Sequence, residues 1–287
     1  MPIFRDQRVD TSGVEVRGRG RSLAVGGGGA GILGVLIYLL VSALGGGGGL
    51  DALQIPGNTQ ISGTGETVAE MQERCNTDGA IDRYNDCYLV KVYDEINAVW
   101  SETLDGYQRP RLGFFEESTQ TGCGFASAEV GPFYCPPDQE VFIDLGFLKQ
   151  LQDEFGAQGR YAQAYIVAHE VGHHLQTLLG TERRVRDAQE RDPSRTNALS
   201  VRLELQADCY AGVWGRLAND KGNVAITDAE LDEALRAAAA VGDDRIQQKT
   251  QGQIDRESWT HGSAEQRRSW YQRGFQGASI DSCDTFA

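Results

Sequence analysis

Histidine is scarce in this chain, at four residues in 287. Basic residues are outnumbered, 27 lysines and arginines against 41 acids, for a net charge of −14. A nucleic-acid-binding surface needs a basic stripe to meet phosphate, so the balance argues against that class. No two of the six cysteines form a C-x-x-C pair, and none stands beside a histidine at zinc-knuckle spacing. That argues against a cysteine-built structural metal site. No internal repeat is visible, and no cell-wall-binding module can be recognised.

What is present bounds the fold. At 40% hydrophobic residues the chain can bury a substantial core, in one large domain or two small ones. Its charge is uneven. Residues 1–44 hold five arginines against three acids, which leaves 22 basic and 38 acidic residues for the rest. Six cysteines, Cys75, Cys87, Cys123, Cys135, Cys209 and Cys283, allow fifteen pairings. Cys75 with Cys87 and Cys123 with Cys135 are close in sequence and flank turn-forming residues, which suggests two bridges and leaves Cys209–Cys283. Six free thiols in a cytosolic protein is the alternative.

The N-terminal region suggests an oxidising location. Residues 22–44, "SLAVGGGGAGILGVLIYLLVSAL", carry no charge and just reach the length of a membrane-crossing helix. Arg17, Arg19 and Arg21 precede them. By the positive-inside rule, residues 1–21 are expected in the cytoplasm and the rest in the periplasm or outside the cell, on a single pass. A cleaved signal peptide, with "VSA" at 41–43 as its cleavage site, is the rival reading. Residues 45–66 read as a flexible Gly-rich linker, and 67–287 as the main domain.

Within 67–287 the pattern is α+β, mostly helical, with a small antiparallel sheet. Helical spacing predicts elements over 67–73, 88–104, 144–155, 161–179 and 197–219. "TDAE" at 227–230 and "SAEQ" at 263–266 are capping boxes that open helices to about 240 and 273. "GPFYCPPDQEVFIDL" reads as strand, turn, strand, the second around Val141, Phe142 and Ile143.

Three of the four histidines lie in "HEVGHH" at 169–174. On a helix, His169 and His173 stand about 40° apart round the axis and ~6 Å along it, so both rings can meet one Zn2+. Glu170 beside them is placed as a general base. Zinc lowers the pKa of its bound water to about 7, and a nearby carboxylate collects the proton and hands it to the leaving amine. The metzincin continuation is excluded, because position 176 is Gln and position 179 is Leu. His174 points off the ligand face. A third ligand is sought in "LELQAD", where Glu204 and Asp208 stand one turn apart in an apolar run. Glu204 as ligand and Asp208 as acceptor from a ligand histidine would offset the cost of burying both. His261, just ahead of the Ser263 cap, could donate to a tetrahedral oxyanion.

These stretches, with "CGFASAEVGPFYCP", "VFIDLGFL", "AYIVAHEVGHHLQ", "RLELQADCYAGVW" and "THGSAEQR", resemble the bacterial neutral zinc metallopeptidase family, of gluzincin type. The resemblance covers 67–285. It implies zinc held by His169, His173 and Glu204, Glu170 as base, and an N-terminal membrane segment. CaaX-type gluzincins carry a T-H-P…R pattern. Thr260, His261 and Arg267 match it, while Gly262 replaces the proline. In gluzincins a strand beside the zinc helix pairs with the substrate backbone, a role this resemblance lends to Val141, Phe142 and Ile143. The expectation is a membrane-anchored zinc endopeptidase acting on protein or peptide substrates outside the cytoplasm. A non-catalytic, zinc-stabilised binding domain at the cell surface is the alternative, and a zinc hydrolase of another amide is a third.

Overall fold

The computed structural model describes residues 4–17, 66–146 and 159–287. Strand β1 (Val14–Val16) comes first. Helix α1 (Val68–Cys75) is opened by a capping box, in which Thr67 and Glu70 satisfy each other's orphan backbone N–H groups. A single turn, α2 (Ala80–Arg83), leads into α3 (Asn85–Thr103), which is buried along nearly its whole length. The Cys75–Cys87 bridge ties α1 to α3.

The strands follow: β2 (Arg111–Phe115), a hairpin of β3 (Ser118–Thr121) and β4 (Gly124–Ser127), then β5 (Phe133–Cys135) and β6 (Glu140–Asp144). The main sheet has the order β1-β2-β6-β5. Only β5 and β6 pair antiparallel; β1 with β2 and β2 with β6 are parallel. The expected antiparallel sheet is therefore mixed. The local strand–turn–strand pattern shows only the β5–β6 hairpin, and the parallel neighbours come from segments far apart in sequence. The Cys123–Cys135 bridge fastens the β3–β4 hairpin to the end of β5.

The C-terminal half is helical: α4 (Arg160–Leu178), α5 (Thr181–Arg191), α6 (Thr196–Asp220), α7 (Asp228–Ala240), α8 (Asp243–Thr250) and α9 (Ala264–Gly277). Both capping boxes read from sequence are present, at Thr227 and Ser263. Helices α5 and α8 were not expected, since both are short and strongly polar. The helix expected over 144–155 lies mostly outside the described residues. Helix α9 lies directly on α6. A Cβ on Gly274 would stand 1.9 Å from the Cys209 carbonyl oxygen, and one on Gly212 would stand 2.0 Å from that of Tyr271. Glycine at both positions lets the backbones touch. The Cys209–Cys283 bridge then closes the C-terminus onto α6, so all three expected pairings are present.

Residues 4–17 belong to this domain, unlike the expected division in which residues 1–21 stood apart. Phe4, Val9 and Val14 are part of the core. The Val9 amide donates to Asn76 Oδ1 at 3.1 Å, and the Thr11 amide to Gln72 Oε1 at 2.7 Å. Arg17 reaches both oxygens of the fully buried Glu140, at 3.0 and 2.8 Å. The span expected at 22–44 and nearly all of the linker lie outside the described residues. No described helix is long and apolar enough to cross a membrane.

Candidate metal centre

Helix α4 carries His169 and His173 one turn apart, and α6 crosses it to bring in Glu204. The crossing is close because residue 172 is glycine: a Cβ there would stand 3.0 Å from both Cα and carbonyl oxygen of Ala207. At this separation the side chains converge. His169 Nε2 is 3.2 Å from His173 Nε2. Glu204 Oε2 is 3.2 Å from His169 Nε2, and its Oε1 is 3.4 Å from His173 Nε2. Tetrahedral ligands with bonds of about 2.0–2.1 Å stand about 3.3 Å apart, so the three donors are spaced as zinc requires. All three are buried, and among the described residues no fourth His, Cys, Asp or Glu joins them.

The outer partners set the tautomers. His169 Nδ1 lies 2.9 Å from Asp208 Oδ1, so it carries the proton and leaves Nε2 bare for a metal. Asp208 also accepts from Tyr165 Oη at 2.5 Å, Arg267 Nε at 2.8 Å and Arg267 Nη2 at 2.9 Å. Burial works against its charge, but Arg267 and His169 hold its carboxyl below the usual range. Asp208 therefore sits where the sequence placed it, and Arg267 supplies the countercharge. His173 Nδ1 donates to Gln176 Oε1 at 2.9 Å. Gln176 Nε2 in turn donates to the Leu203 carbonyl at 2.7 Å, tying α4 to α6. In the sequence, Gln176 speaks against the metzincin continuation. Its place one turn past His173 could have marked it as that ring's partner.

Glu170 is buried beside the triad. Burial pushes its carboxyl up to about 7, against the pull of His169. Glu204 shows the opposite result: burial opposes its charge, yet His173, His261 and His169 hold it well below the carboxylate range. His261 is thus close enough to act on Glu204, and its orientation comes from Asp243. Asp243 Oδ2 accepts the backbone N–H groups of Thr260, His261 and Gly262 at 2.9, 2.7 and 2.9 Å. Its Oδ1 lies 3.5 Å from His261 Nδ1. Asp243 is a site residue that the sequence did not disclose. Gly262 has φ +89°, which proline cannot adopt. The turn therefore differs in backbone from a T-H-P turn, although Thr260, His261 and Arg267 all gather at the site.

The substrate strand assigned from the resemblance is not where it was placed. Val141, Phe142 and Ile143 are fully buried in β6; Val141 and Phe142 pair on both sides, with β2 and β5, while Ile143 pairs with β2 and lies just past the end of β5. Strand β5 is the edge, and the backbone amide of Tyr134 within it favours the ionised form of Glu170. The hydrophobic run marked β6 because a strand buried on both faces is apolar throughout, which is the opposite of an exposed edge.

Residues 4–286 match the family described as "Putative neutral zinc metallopeptidase". The match takes in the N-terminal segment that joins the sheet. The Escherichia coli K12 protein YpfJ is 40% identical over 286 residues, covering 98% of this chain and 94% of its own. The Mycobacterium tuberculosis H37Rv protein Rv2575 is 43% identical over 223 residues, 75% of each chain. Both are named as uncharacterised. No solved structure matches.

Proposed function

The chain belongs to that zinc metallopeptidase family, and on this premise we propose that it hydrolyses internal peptide bonds of protein or peptide substrates. The observation that carries the reading is the buried carboxyl of Glu170 beside three donors spaced for Zn2+, the family's cofactor. Zn2+ held by His169, His173 and Glu204 would supply a Lewis acid that polarises the scissile carbonyl and acidifies water. Glu170 takes the proton of the attacking water and delivers it to the leaving amine. A carboxylate beside the donors can accept the proton in one step and return it in the next. His261, steadied by Asp243, donates to the oxygen that gains charge in the transition state. The free edge of β5 offers main-chain groups along which an extended peptide can lie.

Glu170→Gln tests this. The variant should keep about one zinc per chain and lose casein cleavage by at least about a thousandfold, a barrier rise of about 4 kcal/mol. Equal, zinc-dependent folding of both proteins with no cleavage of casein or a peptide library by the wild type would favour the non-catalytic binding domain.

We also place the domain in an oxidising compartment, outside the cytoplasm, because all six cysteines are bridged. Residues 4–17 share that compartment, since β1 pairs with β2. Single cysteines introduced at Ser12 and at Glu102 should react alike with a membrane-impermeant maleimide in whole cells or spheroplasts. Labelling of only one would show that the apolar run separates them across a bilayer.

A further inference from the structure

"HEVGHH" contains one histidine that the metal chemistry does not use. His174 is fully buried, and both ring nitrogens are engaged. Nε2 lies 2.5 Å from the carbonyl oxygen of Gln108. A carbonyl can only accept, so Nε2 carries the proton. Nδ1 is then a bare lone pair, and it accepts the hydroxyl of Tyr134 at 2.9 Å. The rings of Tyr107 and Tyr134 meet the imidazole edge-on, with centroids 5.9 and 5.3 Å away. Gln108 stands just ahead of β2, and Tyr134 is the middle residue of β5. One side chain of the zinc helix therefore fastens two separate segments of the sheet region to α4.

Strand β5 needs that fastening. It is three residues long and pairs on one side only, with β6. Its other edge has no strand partner among the described residues. The side chain of Tyr134 is held by α4, the helix that also carries the base.

We propose that His174 is a positioning residue for substrate: through the Tyr134 hydroxyl it holds the free edge of β5 against the zinc helix, which carries Glu170. A peptide lying along β5 is thereby aligned with the base. This rests on the peptidase reading above. His174 touches neither zinc nor substrate and acts through Tyr134.

The test uses the full chain with zinc bound. His174→Phe keeps the bulk of the ring and loses both hydrogen bonds; Tyr134→Phe loses only the bond to Nδ1. Both variants should hold one zinc, with affinity in a chelator competition within about threefold of wild type. Amide hydrogen exchange over residues 131–137 should quicken in both. On an extended peptide of eight or more residues, kcat/KM should fall about tenfold to a hundredfold, mainly through KM, because alignment along the strand is lost. A blocked dipeptide too short to lie along β5 should be cleaved nearly as by wild type. The double variant should be no worse than His174→Phe, since the two residues act as a unit.

An equal loss on long and short substrates, additive losses, or unchanged exchange over 131–137 would overturn the proposal. Loss of zinc from either variant would make the role structural and overturn it too. Should His174→Phe fail to fold, the same measurements on Tyr134→Phe decide. If wild type cleaves no peptide at all, the peptidase reading falls and takes the substrate role with it; the exchange result then still reports whether the clamp exists.

Discussion

At the scale of single residues, the centre is a set of burial costs offset by specific partners. Asp208 shows this most fully. It is a buried carboxylate that four donors satisfy, and one of them is the ring of a ligand histidine. Its removal should therefore be felt at the metal. Asp208→Asn is expected to weaken zinc binding about tenfold to a hundredfold, measured by chelator competition. The pH dependence has a definite sign. Burial opposes charge on His169, yet Asp208 and Glu204 hold its imidazole well above the ordinary range. Zinc must therefore compete with a proton for that ring. Affinity should thus rise with pH through and above neutrality, about tenfold per unit, until the raised pKa is passed. In Asp208→Asn the rise should end at lower pH. Calorimetry in buffers of different ionisation enthalpy would count the proton released. The ligands themselves were legible because H-E-x-x-H and E-x-x-x-D are local patterns on helices. Asp243 and Tyr134 were not, because each acts on a residue that only folding brings near; Gln176 stands one turn past His173, but no motif marks it.

At the scale of elements, the centre depends on how closely α4 and α6 cross. A methyl group on Gly172 would meet the Ala207 backbone at 3.0 Å, a few tenths of an ångström closer than side chains ordinarily pack. Gly172→Ala should push the helices apart, cost about 1–3 kcal/mol by overpacking, and draw Glu204 away from the histidines. Urea denaturation and zinc affinity should both record the change; a variant as stable and as tight as wild type would show that the crossing has slack. Helix periods and capping boxes foretold α4, α6, α7 and α9, because those signals are local. They could not reveal that β1 joins the sheet, since its pairing with β2 spans about a hundred residues and depends on core packing. The same gap misplaced the substrate strand. An apolar run shows that a strand is buried, but sheet order decides which strand lies at the edge.

At the scale of the whole molecule, three bridges and the N-terminal segment hold the parts together. Cys209–Cys283 has a sequence separation of 74, against 12 for each of the others. By loop-closure entropy it should contribute about 4 kcal/mol, and the Cys75–Cys87 bridge about 3 kcal/mol. Cys209→Ala with Cys283→Ala should therefore lower the urea midpoint more than Cys75→Ala with Cys87→Ala. It should also reach the centre, because Cys209 follows Asp208 directly. An equal shift for the two double variants would leave no effect of loop length. Residues 4–17 contribute core side chains and the partner of the buried Glu140, so the folded unit begins well before residue 67.

The chain's own letters determined the helices, the ligand pair with its base, and the close cysteine pairs, since each depends on residues within a few turns of one another. Tertiary structure alone decided which strand has a free edge, how Asp243 sets His261, and on which side of the sheet the N-terminus lies. Those are long-range outcomes, settled by how the apolar faces pack and by where each buried polar group finds its partner. For "HEVGHH" the division falls inside six residues: two histidines were legible as ligands from their spacing, and the third acquired a role only when the fold brought Tyr134 and Gln108 to it.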